Sequence, residues 1–376
     1  MSWRIAAEGH DRRLEALRDR LHAVLDDLVT GGRYHQGART RSLEETLGRA
    51  LGRPVVGTSS GTMALKVALK ASGVGPGDEV VVPVATFVST VSVVAELGAT
   101  PVLVDIDPET RTMDPDAFAA ALGPRTAAVV PVHLHGAPAA MVEIVRLADR
   151  AGVRVVEDCA QGHGAELYGR PVGTWGDYGC FSYWAGKNVG SLGDAGALSM
   201  RDAMDLETVR ALVDLGRLPK DRYTHHRLGY RGRIDELDAA VIEIEQDALG
   251  AWRSRRQQIA DAYRAGLADT SLVLPVPPPG ATHGWYKFAV GSDSPQELIT
   301  ALADRGIQAE QVYPTTLAEQ PLLAEIEHRL LDVPVASAVV PTLVCLPCYP
   351  ELSDDEVAEV VEAVQQSVLG RHASTG

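Results

Sequence analysis

Between about residues 55 and 200 the chain alternates short apolar runs with helix-length segments, and no other feature limits the fold as much. The runs are VVVP at 80–83, PVLVD at 101–105, AAVVPV at 127–132, VRVVED at 153–158, CFSY at 180–183 and GALSM at 196–200. Helical stretches such as MALKVALKAS and MVEIVRLADRAG separate them. Strands this apolar have no face to give to water, so each must be covered on both sides. The expectation is an α/β fold: a mostly parallel sheet between two layers of helices. Ahead of it, Leu14, Leu17, Leu21, Val24, Leu25 and Leu28 recur at helical spacing and predict a first helix over 12–29, ended by Gly31-Gly32. Beyond it, a helical region runs from about 234 to 268 and the Pro-rich LPVPPPGATHG breaks the chain at 274–284. YKFAV, a helix at 295–305, IQAEQVYP and a helix at 354–368 then predict a smaller α+β domain. The boundary is placed near 250, giving a large domain over 1–250 and a small one over 251–376, with the tail RHASTG expected to fray.

At 376 residues the chain has room for two or three domains of about 150 residues and for a large apolar core. Lys and Arg number 35 against 50 Asp and Glu, a net charge of −15, which argues against a general nucleic-acid binder. Four cysteines, no signal-peptide pattern and no run of 18 apolar residues lead to the expectation of a cytoplasmic, untethered protein. There are only five lysines, at 66, 70, 187, 220 and 287, so lysine chemistry is easy to locate.

In GTSSGTMALKVALK, Ser59, Ser60, Gly61 and Thr62 stand just before an apolar helical run. Free N–H groups at a helix start, a glycine that permits close approach and adjacent hydroxyls make an anion cradle; an ordinary Ser/Thr cap is the plain alternative. VRVVED ends in Glu157-Asp158, where α/β sheets bind ligands, so Asp158 is placed to hold a cationic ring nitrogen or to cap a helix. In CFSYWAGKNVGSLGDAGALSM, Ser182 lies near a strand end and Lys187 in a glycine-dotted loop. A lysine there suits Schiff-base chemistry if its amine is partly desolvated. Lysine, carboxylate, hydroxyl and anion cradle together match what pyridoxal phosphate needs, and Phe87 is a candidate for the ring face.

With these residues in view, the chain resembles the DegT/DnrJ/EryC1/StrS family of sugar aminotransferases. These are fold-type I, vitamin B6 enzymes of the aspartate aminotransferase superfamily. The likeness runs from Gln36-Gly37 to LPCYPELSDDEV. It is carried by SSGTMAL, GVGPGDEVVVPVATFVST, GATPVLVDIDPET, PVHLHGAP, VVEDCAQGHGA and FSYWAGKNVGSLGDAGAL. The resemblance implies a seven-stranded sheet and pyridoxal 5'-phosphate as cofactor, with pyridoxamine 5'-phosphate as the intermediate form. It also implies that Lys187 forms the Schiff base and moves the proton, Asp158 binds the ring nitrogen, Gln161 the ring hydroxyl, Gly61, Thr62 and Ser182 the phosphate, and Phe87 stacks on the ring. His163 lies beside the cofactor in that family, with its role left open.

Two departures stand out. GYRGRIDELDAA carries Arg231 where the family often has an asparagine that reaches the partner subunit's phosphate cup. An Arg there could hold that phosphate by a charged contact, bind a substrate diphosphate, or point to solvent. YWAGKN puts Trp184 beside the lysine, either in the substrate pocket or in a structural role. The CLPC pair, Cys345 and Cys348, lacks a second ligand pair and is read as packing, and no metal is expected.

The implied reaction moves an amino group from glutamate or glutamine to a nucleotide-linked keto sugar, in a ping-pong cycle within a homodimer whose active sites are shared. An amino sugar for a secondary metabolite such as an antibiotic, or for the cell envelope, would be the product. Alternatives are a cyclitol ketone as acceptor, synthesis of an aromatic amino acid precursor, a pyridoxamine phosphate dependent sugar dehydratase, against which Lys187 argues, and a non-catalytic regulatory protein on the same fold.

Overall fold

The computed structural model describes residues 3–372. In chain order its strands are β1 (Val55–Thr58), β2 (Glu79–Pro83), β3 (Thr100–Val104), β4 (Thr126–Val129), β5 (Arg154–Asp158), the two-residue β6 (Glu166–Leu167) and β7 (Arg170–Pro171), β8 (Tyr178–Ser182), β9 (Gly196–Met200), β10 (Ala281–Thr282), β11 (Phe288–Gly291), β12 (Arg329–Leu330) and β13 (Leu343–Leu346). The main sheet has the order β1-β9-β8-β5-β4-β2-β3-β12. Neighbours from β8 to β12 run parallel, while β9 is antiparallel to both β8 and β1. The sheet therefore has eight strands rather than the implied seven. The extra one, β12, is two residues from the C-terminal third laid against β3, too short to leave a pattern in the sequence.

The two-sided burial expected of the apolar runs is visible strand by strand. On β2, Val80 and Val82 join one core with helices α3 (Gly61–Ala71) and α4 (Ser89–Glu96), while Val81 joins the opposite core with Phe118, Met141 and Ile144. All three valines are fully buried. Alternate side chains of a strand point to opposite faces, so a polar residue at any of these positions would lose its water.

The first two helices are α1 (His10–Gly31) and α2 (Ala38–Leu51), and α1 ends on Gly32 in the left-handed conformation at φ 62°, which costs a glycine little. Leu17, Leu21, Val24 and Leu28 lay its stripe against Ala240 and Ile244 of the helix Glu236–Gln246. The helical region expected over 234–268 is two helices, Glu236–Gln246 and Leu249–Gly266, with a break at Asp247-Ala248. Asp235 caps the first of them by accepting from the Asp238 N–H.

A second core gathers Ile259, Tyr263, Trp285, Phe288, Leu298 and Val360 with Ile5 from the start of the chain. Ile5 pairs with Ile307, and Glu310 with Cys345, so IQAEQVYP is held by single bridges rather than as a strand. Leu317, Leu323, Ala336 and Val340 pack instead on the first core. Cys345 and Cys348 are buried and unbridged, and Cys348 packs in the second core. The helix Asp354–His372 takes up the first part of RHASTG, and the rest of that tail lies outside the described residues. No helix among the described residues is long and apolar enough to cross a membrane.

Candidate active site

The strand order turns at β2, with β3 on one side and β4 on the other, and ligand crevices of parallel sheets open at the carboxyl ends of strands beside such a turn. Glu157 and Asp158 stand at the carboxyl end of β5, two strands from β2 in that order, and, as neighbours on a strand, point opposite ways. Glu157, fully buried, accepts from the N–H groups of Gly173, Trp175 and Gly176, each at 2.7 Å, and faces His133 Nε2 at 3.1 Å. Its lone pairs are committed to the turn beneath the site. His133, Glu157 and Cys159 bring metal-type donor atoms together, but these contacts already occupy the carboxylate and His133.

Asp158 faces the crevice. It accepts from Thr90 Oγ1 and from the Ala160 N–H, both at 3.0 Å, and Thr90 in turn meets Thr86 Oγ1 at 3.1 Å. Burial pushes its carboxyl pKa up, while those two donors and the charge of Lys187 pull it down. A buried carboxylate that keeps free lone pairs suits a cationic partner such as a protonated ring nitrogen. Gln161, also buried, accepts from the His135 N–H at 2.7 Å and donates to the Tyr313 hydroxyl at 2.8 Å.

Lys187 sits in the loop between β8 and β9, half-buried, its ammonium 4.6 Å from the centre of the Tyr286 ring. Burial pushes its amine down to about 8, with Lys287 adding to the effect and Asp158 opposing it. At pH 7 about one such amine in ten is unprotonated, roughly 300 times the share of an ordinary lysine. Lys287 is itself pinned between Glu8 and Glu310, at 2.8 and 2.9 Å. The segment bearing Tyr286 and Lys287 reaches the site because His135 and Gly136 both adopt positive φ, 56° and 96°. A Cβ on Gly136 would lie 2.7 Å from the Trp285 nitrogen, so only glycine permits that approach.

The anion cradle is at the start of α3. Ser60 caps it by accepting from the Met63 N–H at 3.1 Å, so the Gly61 and Thr62 amides remain at the open end. A Cβ on Gly61 would lie 2.7 Å from the Ser182 Cβ, which fixes how closely the helix start meets the end of β8. Thr62 Oγ1 lies 2.8 Å from Ser89 Oγ, and Ser182 Oγ receives only a 3.4 Å contact from the Trp184 N–H. Phe87 is 55% exposed after β2, Trp184 is 45% exposed, and Arg231 is exposed beyond Asp214. The structure thus brings the buried carboxylate, the amide, the lysine and the hydroxyl-lined helix start to one end of the sheet. This donor set fits a group with a phosphate at one end and a basic ring at the other. Sequence reasoning missed Thr90 and Ser89, which follow Phe87 in TFVST, and Tyr286 and Lys287, which lie between Trp285 and Phe288 of the second core. His163 is buried against Phe181 and Tyr183, with neither ring nitrogen bonded.

The profile of the DegT/DnrJ/EryC1/StrS aminotransferase family matches residues 15–365. The chain is 36% identical over 355 residues to the UDP-N-acetyl-3-dehydro-alpha-D-glucosamine 3-aminotransferase of Acidithiobacillus ferrooxidans, covering 94% of this chain and 95% of the relative. It is 36% identical over 354 residues to the dTDP-3-amino-3,4,6-trideoxy-alpha-D-glucose transaminase of Streptomyces venezuelae, covering 94% and 93%. The solved structure of S. venezuelae DesV in complex with a ketimine intermediate superposes with a TM-score of 0.92 at 34% identity, covering 97% of this chain and 98% of that one. The chain belongs to the DegT/DnrJ/EryC1/StrS aminotransferase family.

Proposed function

We propose that the protein transfers an amino group from glutamate or glutamine to a keto sugar carried on a nucleotide, using pyridoxal phosphate. The observation that carries this reading is Lys187, half-buried with its amine pushed down to about 8 in the neighbourhood of the buried Asp158. Two relatives named for transaminases of nucleotide-linked sugars, each matching over nine-tenths of the chain, support the substrate class. When bound, the cofactor supplies a carbonyl that carries the amino group and a ring that spreads negative charge.

The chain's own residues do the rest. Lys187 Nζ, unprotonated in a useful fraction, takes the proton from the substrate carbon and returns it. Asp158 holds the ring nitrogen in its charged form. Gln161 keeps a second amide hydrogen for the ring hydroxyl. Gly61, Thr62 and Ser182 receive the phosphate, Phe87 covers the ring, and Arg231 adds positive charge from a second copy of the chain. Tyr223 and Leu228, each 80% exposed in the segment leading to Arg231, support a homodimer with shared sites. We place the protein in the cytoplasm and keep the division into two domains near residue 250.

The test is an absorption spectrum of the protein with pyridoxal phosphate, before and after glutamate or glutamine, beside Lys187→Ala. A visible band that converts with donor in the wild type and is altered in the variant supports transamination. Bound cofactor that ignores every amino donor would favour the dehydratase or regulatory alternatives.

A further inference from the structure

The Lys187 loop runs from Ser182 to Gly196 with little ladder of its own. The Lys187 N–H donates to Trp184 O at 2.8 Å and the Ala185 N–H to Gly193 O at 3.1 Å, closing a tight turn. A Cβ on Gly190 would stand 2.8 Å from Ala185 O, so the two ends of the turn press together. The carbonyls of Ala185 and Lys187 face a buried guanidinium from a distant part of the chain. Arg13 of α1, 7% exposed, donates to Ala185 O at 3.0 Å and to Lys187 O at 3.1 Å. On the other side of the turn, Glu245 accepts from the Gly190 N–H at 2.7 Å. Glu245 also pairs with Arg13 at 3.4 Å, its side chain 2% exposed. The guanidinium lies 5.5 Å from the Trp252 ring and 2.9 Å from His10 Nδ1.

We propose that Arg13 and Glu245 are a positioning pair for Lys187, stitching the carbonyls and the N–H of its loop to α1 and to the helix Glu236–Gln246. The inference rests on the reading of Lys187 as the reacting amine. It asks of the pair only geometry. The charges that act on the amine come from Asp158, Lys287 and Glu8, and neither Arg13 nor Glu245 is among them. Arginine suits the task because a planar fork reaches two carbonyls and a carboxylate at once, which an ammonium does not. Loss of the pair frees the loop, and a freed loop admits water to the lysine and blurs its aim. Displacements of about 1 Å cost turnover as much as 100-fold.

A single substitution leaves an uncompensated buried charge, so the main test is the double variant Arg13→Met/Glu245→Met, with Arg13→Lys and Glu245→Gln beside it. The first readout is competitive acetylation of Lys187 in the apoprotein across pH, read by peptide mass. The wild-type amine is expected to titrate near 8, and that of the double variant about one unit higher as water enters. The second is steady-state amino transfer by the holoenzyme, where kcat falls roughly tenfold or more while the donor KM stays within about twofold. Arg13→Lys and Glu245→Gln should lie between wild type and double variant, and they decide the matter if the double variant does not fold. Folded variants with an unmoved Lys187 titration and an unmoved kcat would overturn the pair. A wild type that accepts no amino donor would sink the aminotransferase reading instead, while the apoprotein titration would still judge the pair.

Discussion

At one end of the site Asp158 and Gln161 are buried and hydrogen-bonded within their own chain, and Lys187 is held in a stitched loop. At the other end Phe87 is 55% exposed, Thr62 is open and Arg231 faces solvent. The difference follows from what each end must do. A proton passed at one atom needs groups fixed to a fraction of an ångström, which one folded chain supplies best. A phosphate needs hydroxyls, amides and positive charge, which two chains can share. Apolar surface is also left on the segment leading to Arg231, where Tyr223 and Leu228 are each 80% exposed, and it is costly unless something covers it.

Asp158→Asn strikes the closed end hardest. The amide keeps an oxygen for the Ala160 N–H but gives up the charge opposite the ring nitrogen. Turnover is expected to fall about 10²- to 10³-fold. Thermal stability should hold or rise, because burial already disfavours the carboxylate. Unchanged kcat in this variant would break the contrast between the ends.

The sharing of the phosphate end between two chains is tested by Tyr223→Glu/Leu228→Glu. Sedimentation should show the wild type at twice its chain mass of 40.0 kDa and the variant as a monomer, with cofactor affinity about tenfold weaker. A wild type that sediments as a monomer and still turns over would mean that one chain completes its own phosphate site. Arg231→Ala is the smaller change: a fivefold to tenfold loss of cofactor affinity, with Arg231→Lys recovering part of it, fits one charge-assisted contact. Weakened sugar-nucleotide binding at unchanged cofactor affinity would move Arg231 to the substrate diphosphate.

Legibility in the sequence divides along the same line. Buried strands advertise themselves, and GALSM is β9 residue for residue while VRVVED contains β5. β1 went unread because VVGT is short, ends in Gly-Thr and pairs antiparallel at the sheet edge, where the apolar signal is weak. Asp158, Ser182 and Lys187 stood out because each sits at or just beyond a strand end in a local pattern. Thr90 and Tyr286 did not, since each reaches the site through tertiary contacts that no spacing encodes. Arg13 is the extreme case, 174 residues away from the lysine whose carbonyl it binds.

The smallest expected effect concerns two lysines that stand close together with opposite environments. Burial pushes the Lys187 amine from 10.5 down to about 8, so between those values the unfolded chain holds a proton that the folded chain does not, and stability rises with pH there. Below about 8 the cost is fully present. Lys187→Met should therefore stabilise the apoprotein at pH 7 by about 1–2 kcal/mol, discounted for the partial exposure of the amine. That gain should fade as pH climbs towards 10.5. Lys287 is the mirror image: burial opposes its charge, but Tyr286, Glu8 and Glu310 more than offset this and hold its amine above the ordinary value. Its contribution is present below the unfolded pKa and lost as pH rises through the folded one, so Lys287→Met should destabilise at pH 7. Denaturant unfolding of the two variants across pH measures both signs. If both move the same way, the amine of Lys187 is not held in a desolvated state, and the closed end of the site loses its reacting group.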